Sequence, residues 1–260
     1  MECLKTRIIT GIVGAAGFLL LLYMGSVWYT ALVFFLATLA YFELMRMKQI
    51  AITDIHGIAG LLFTWLIVLP NWAWNEGLLR TDYLFLFVLL LLFITVVSKN
   101  RIEYPDIAYV LLGCLYVGFG FHYINATRIE NGLAVTLAVL FSIWATDSGA
   151  YFVGKAIGKT KLWPAISPNK TVEGSMGGIV LAVLVMVVFA ACGVVTLLQA
   201  LLMGLVIAIS GQIGDLIESA VKRTFNVKDS GTLLPGHGGV LDRCDSWIIV
   251  FPVLHVLHLL

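Results

Sequence analysis

Charge-free apolar runs occupy residues 8–24, 26–42, 57–75, 83–98, 107–127 and 131–146. Each is close to the ~17 to 25 residues that a helix needs to cross a bilayer. A longer run, 174–214, would reach about twice the ~30 Å hydrocarbon thickness at ~1.5 Å per residue, so it is expected to fold back once. The glycine and polar residues between Ala191 and Gln199 are the expected turn. A last run, 246–260, is short and carries His255 and His258. The pattern therefore predicts an all-α polytopic membrane protein of about nine spans. The first run does not read as a cleaved signal peptide, because a second run follows at once and no small-residue cleavage site ends it.

Composition agrees with the pattern. Of 260 residues 60% are hydrophobic and 12% charged, against about a quarter charged in ordinary soluble domains. A net charge of +1 excludes the basic excess of a nucleic-acid-binding domain. Cys3, Cys114, Cys192 and Cys244 have no spacing that suggests a zinc or redox site.

Charge also orients the chain, since Lys and Arg collect in cytoplasmic loops. With nine spans and a cytoplasmic N-terminus, the outer loops hold only Arg80 and Arg128 of these residues. The polar stretches 147–173 and 218–245 then share the cytoplasmic face. Trp72 and Trp74, at a span end, read as an interfacial belt. His122, His255 and His258 read as interface or helix-packing residues. No internal repeat or flexible linker divides the chain, so one membrane domain, 1–260, is expected. Within it, residues 1–130 supply membrane helices, and residues 131–260 carry the chemistry. Missing repeats lower the transporter reading without excluding it.

Two polar clusters stand out. The first, "WATDSGAYFVGKAIGKTKLWPAISPNKTVEGSMGG", places Asp147 at or just within the inner end of a span, where an acid is costly without a partner. Lys155, Lys159 and Lys161 read equally well as positive-inside anchors. Ser167, Asn169, Lys170 and Thr171 offer hydroxyl, amide and ammonium donors just before a helix, where free amides suit a phosphate. A plain helix cap would account for Ser or Thr there too.

The second cluster begins at "GQIGDLIESAVKR". Asp215, Glu218 and Ser219 share one helix face by their three- and four-residue spacing. Asp242 and Asp245 repeat the three-residue spacing before the last run. If the two helix ends are adjacent, these carboxylates supply the oxygen ligands of a hard divalent ion, and magnesium characteristically takes one or two carboxylates plus substrate phosphates. Salt bridging among Asp215, Glu218, Lys222, Arg223 and Arg243 is the competing reading. "PGHGG" allows main-chain amides at Gly238 and Gly239 to approach a ligand closely. A mere connection would not need Lys228, Asp229, His237, Asp242 and Arg243 as well. Cations for phosphates beside acids for a metal fit phosphoryl or nucleotidyl transfer.

The segment "SAVKRTFNVKDSGTLLPGHGGVLDRCD", 219–245, resembles the signature of the phosphatidate cytidylyltransferases, also called CDP-diacylglycerol synthases. Cys244 is the one departure, standing where that family usually has an aliphatic residue or Thr. "SPNKTVEG" and "GDLIES" also resemble family features, whereas the first hundred or so residues match only as membrane helices. The resemblance implies a membrane enzyme that condenses CTP with phosphatidate to CDP-diacylglycerol and pyrophosphate, and the compact chain with no targeting extension in view points to a bacterial inner membrane. It implies magnesium, as one ion or two, held by Asp215, Asp242 and Asp245, with Glu218 as a direct ligand or a support. Catalytic roles fall to Lys222, Arg223, Lys228, Asp229, His237 and Arg243. Substrate binding falls to Asp147, Ser167, Asn169, Lys170, Thr171, Ser219, Gly238 and Gly239. The expected partners are CTP, phosphatidate and membrane lipids, with no nucleic acid, in a monomer or a homodimer. A transporter or channel, and a nucleotidyltransferase acting on another lipid phosphate, stay open as alternatives.

Overall fold

A computed structural model describes the backbone of residues 2–70, 81–231 and 238–260, and the side chains of these stretches other than 2–10, 12, 81 and 82. His237, with Pro235 and Gly236, and Trp72, Trp74 and Arg80 lie outside the described residues. The described residues are all-α apart from one small hairpin. Helical stretches long and apolar enough to cross a membrane are Ser26–Met47, Tyr104–Ile157, Val172–Ala191 and Leu197–Thr224 among the described residues. Shorter apolar helices cover Val13–Met24, Ile55–Val68 and Tyr83–Val97. Large apolar side chains such as Phe85, Phe93, Val188 and Leu198 are exposed, which suits lipid and not water.

The chain forms two compact units, one of 1–126 with 229–243, the other of 127–228 with 244–260. In the first, α1 (Glu2–Met24), α2 (Ser26–Met47), α3 (Ile55–Val68), α4 (Thr81–Val97) and α5 (Tyr104–Ala126) supply the helices. Its centre is α2, α3 and α5 around the buried Tyr41, Ile67, Val110 and Phe121. The Tyr41 hydroxyl donates to the Gly57 carbonyl at 3.1 Å, satisfying a polar atom that would be costly in an apolar core. Lys48, just past α2, binds the Pro105 carbonyl and the Asp106 carboxylate, each at 2.7 Å, and so fixes the α5 start.

In the second unit a π-helical turn (Thr127–Asn131) precedes α6 (Gly132–Ile157). After α6 come β1 (Lys161–Trp163), β2 (Ser167–Thr171), α7 (Val172–Ala191), α8 (Leu197–Thr224) and α9 (Leu241–Val256). The expected fold-back is present: α7 ends at Ala191, and Thr196 caps α8 in a reciprocal capping box with Gln199. The helices outrun the charge-free stretches. α6 continues through Asp147 to Ile157, and α8 through Asp215 and Glu218 to Thr224, so all three acids sit within helices.

The antiparallel β1–β2 pair was not legible in the polar stretch before α7. Its closing contacts come from Glu173, whose carboxylate accepts from the amides of Lys159 and Thr160 at 3.1 and 3.2 Å. Helices α6 and α7 meet through glycine. A Cβ on Gly149 would lie 2.7 Å from the Gly177 carbonyl oxygen, so only glycine permits this approach. Such small-residue contacts are how membrane helices gain close packing.

Candidate active site

In the second unit, α6, β2, α7 and α8 enclose a cavity of about 290 Å³. Its wall includes Asp147 and Tyr151 from α6, Asn169 and Lys170 from β2, and Gln212 and Asp215 from α8. Thr171, also in the wall, is the N-cap of α7: its hydroxyl oxygen accepts from the Gly174 amide at 3.1 Å. The helix-cap reading therefore accounts for Thr171 without a ligand, while Asn169 and Lys170 face the cavity. Ser167 opens β2 opposite Trp163 and is not part of the wall.

The polar groups are arranged in pairs. The Lys170 ammonium lies 2.6 Å from Asp215 Oδ2, and the Ser219 hydroxyl donates to Asp215 Oδ1 at 3.2 Å. Glu218 is buried and pairs with Lys222 one helical turn later. Arg223 Nε donates to the Ile166 carbonyl at 3.4 Å, which ties the hairpin turn to α8. The salt-bridge reading is thus right for Glu218 with Lys222. For Asp215 the cation is Lys170, which the local spacing on α8 did not suggest.

Asp245 joins this cluster from α9. A Cβ on Gly214 would stand 2.6 Å from the Asp245 carbonyl oxygen, so glycine lets the α9 backbone lie against α8 beside Asp215. The Ser246 hydroxyl donates to the Gly211 carbonyl at 3.1 Å and secures the same contact. Burial, and then the charges of Asp215 and Asp147, raise the Asp245 carboxyl to about 7. That repulsion is what a bound cation would relieve. Among the described residues no three His, Cys, Asp or Glu side chains form a ready metal shell. The donor set of hard carboxylate oxygens fits magnesium, which needs only one or two of them when substrate phosphates and water complete the octahedron.

The signature stretch 229–243 belongs to the first unit. Asp229, like Lys228 before it, is exposed. Asp242 Oδ2 accepts from the Ser230 amide at 2.9 Å and the Gly239 amide at 2.8 Å. Gly238 has φ 79°, a conformation that glycine takes without strain. Arg243 is exposed and Cys244 buried, in keeping with an inert filler at the latter. Sequence reasoning missed Glu43, Ser230, Tyr151 and Gln212. Glu43 had one signal, a lone acid closing the apolar run of α2.

Comparison with known proteins follows the same lines. The model of the cytidylyltransferase family matches residues 5–260. A phosphatidate cytidylyltransferase of Bacillus subtilis (strain 168) is 42% identical over 99% of this chain and 98% of its own length. The protein of that name in Staphylococcus haemolyticus is 42% identical over 98% of both chains. That of Staphylococcus aureus (strain COL) is 39% identical over the same shares.

Proposed function

Because the chain belongs to the cytidylyltransferase family, we propose that it transfers the cytidylyl group of CTP to phosphatidate, giving CDP-diacylglycerol and pyrophosphate. The observation that carries this reading is similarity to phosphatidate cytidylyltransferases along nearly the whole chain. A phosphate oxygen of phosphatidate attacks the α-phosphorus of CTP, the new P–O bond forms as the α–β bridge breaks, and pyrophosphate leaves. No side-chain nucleophile is needed, since the attacking phosphate already carries negative charge.

The chain's own residues bring two polyanions together. Lys170 and Asn169 offer donors in the cavity wall, and the site then relies on electrostatic positioning more than on covalent chemistry. Lys222, Arg223, Lys228 and Arg243 neutralise phosphate charge, while His237 and Asp229 act from the signature loop. We assign Asp215 and Asp245 to a magnesium ion, with Asp147 beside them and Glu218 supporting through Lys222. When bound, the ion supplies charge neutralisation at the transferring phosphoryl group. Asp242 is assigned to the loop, because its Oδ2 is engaged by two backbone amides.

We further read nine spans with a cytoplasmic N-terminus, in a bacterial inner membrane. The positive-inside count and the match between nine expected spans and nine α-helices among the described residues support this. The long stretch Tyr104–Ile157 counts as two spans, since 54 residues would reach about 81 Å as one helix and Gly132 at φ 83° interrupts it. A reporter fused after Arg80 and found in the cytoplasm contradicts this topology. The reaction is tested by pyrophosphate release from CTP in detergent. Release should require phosphatidate, stop with chelator and be lost in Asp245→Ala; release without phosphatidate contradicts the assignment.

A further inference from the structure

Glu43 sits in α2, in the apolar part of the first unit, and is 4% exposed. An acid there is costly unless its charge is answered. The answer comes from the start of α9. The Val240 amide donates to Glu43 Oε1 and the Leu241 amide to Oε2, each at 2.9 Å. The Ser230 hydroxyl lies 2.9 Å from Oε2. The Asp242 amide donates to Ser230 Oγ at 3.3 Å, and the Gly239 amide to Asp242 Oδ2. Every backbone donor from Gly239 to Asp242 is therefore taken by a side chain of this one cluster.

Two consequences follow from the geometry. A helix N-terminus preceded by glycines is a natural phosphate site, but here a protein carboxylate fills it. The amides of Gly239, Val240 and Leu241 are thus spent before any substrate arrives, and substrate phosphates must be held by other groups. The second consequence concerns the loop. Ser230 at its start and Val240 and Leu241 at its end bind the same carboxylate, so Glu43 fixes the separation of the two ends. Glycine is required at both: a Cβ on Gly231 would lie 2.6 Å from Glu43 Oε1, and one on Gly239 would collide with Glu43 and with Ser230 Oγ.

We infer that Glu43 is a positioning residue for the reaction: its carboxylate occupies the α9 N-terminus as a built-in substitute for phosphate and fastens both ends of the signature loop. The inference rests on the proposed cytidylyl transfer. Through this fastening Glu43 sets where Asp229, Arg243 and the first turn of α9 stand, without touching substrate.

The test compares purified Glu43→Gln, Glu43→Asp and Glu43→Ala with wild type in detergent, using CTP, Mg²⁺ and phosphatidate. Gln keeps the shape but turns one acceptor into an NH₂ that faces an amide donor. It should remain monodisperse and lose about 100-fold in kcat, as misplacement by about 1 Å can cost, with the KM for CTP changing far less. Asp keeps the charge on a shorter arm and should recover part of the loss. Ala leaves room for a small carboxylate, so added formate should restore turnover saturably in Glu43→Ala and leave wild type unaffected. Wild-type kcat in Glu43→Gln, or no formate recovery in folded Glu43→Ala, overturns the inference. If the Glu43 variants do not fold, Ser230→Ala decides: a lowered kcat supports the inference and an unchanged one overturns it. If wild type itself transfers no cytidylyl group, the proposed function fails. Hydrogen exchange at Val240 and Leu241 in Glu43→Gln then decides, faster exchange supporting the clamp and unchanged exchange overturning it.

Discussion

Lys170 on β2 holds Asp215 on α8 across the cavity wall, with Nζ 2.6 Å from Oδ2. The pair joins a hairpin cation to the helix that carries Asp215, so it ties two walls of the cavity together. Replacing Lys170 by Met removes the ammonium proposed to hold a substrate phosphate and leaves Asp215 without this counter-ion. The carboxylate is about one-third exposed, at 35%, so the stability change should be small, about 0 to 1 kcal/mol. The rate should fall far more, about 100- to 1,000-fold in kcat, as for loss of one charge-stabilising donor. Steady-state kinetics beside a thermal melt separate the two effects.

The position of Asp245 makes the metal-free protein sensitive to pH. Its carboxyl is raised to about 7, above the ordinary value of about 4, so the folded state holds the proton more tightly than the unfolded state. Stability from this group is therefore full below about pH 4, falls as pH rises, and is lost above about 7. The Tm of chelated protein should decline across that window, and Asp245→Asn should flatten the decline. Magnesium should restore the Tm, with apparent affinity increasing up to about pH 7 because the ligand must be deprotonated. A Tm profile identical in wild type and Asp245→Asn contradicts this.

Gly214 is the hinge point of the α8–α9 contact. In Gly214→Ala the new Cβ would press on the Asp245 carbonyl oxygen, which is backbone and cannot turn aside. A loss of about 1 to 3 kcal/mol in stability is expected, with loss of activity as Asp245 is pushed away from Asp215. Gly17→Ala, where nothing lies within 4 Å, should leave both unchanged.

Glu173 closes the hairpin that presents Asn169 and Lys170. Glu173→Ala releases the Lys159 and Thr160 amides. Trypsin should then cut faster at Lys159 and Lys161, and the KM for CTP should rise. Unchanged cleavage would mean the hairpin is held by its β pairing alone.

Much of the helical frame was legible because lipid imposes it: apolar runs end where charge begins, and the fold-back follows from run length, with its place near Cys192 marked by glycine and polar residues. Helix ends were less legible. Charge stops a membrane span but not a helix, so α6 and α8 continue past Asp147 and Asp215. Within the site, Asp215, Ser219 and Glu218 were readable from helical spacing, whereas the Lys170–Asp215 pair joins distant segments that no local period connects. Gly239 shows a further limit. The sequence marks it as a glycine that brings a backbone amide toward a ligand, yet its amide serves Asp242 and its missing side chain makes room for Glu43, which lies far earlier in the chain.

The most direct measurement follows the phosphorus atoms of CTP. Protein in detergent is given phosphatidate, Mg²⁺ and CTP labelled at the α- or the γ-phosphorus, and lipid and aqueous phases are then separated. Cytidylyl transfer predicts that α-label enters the lipid phase as CDP-diacylglycerol while γ-label stays in water as pyrophosphate, both only with phosphatidate. γ-label in the lipid, or α-label that never leaves the aqueous phase, would contradict it.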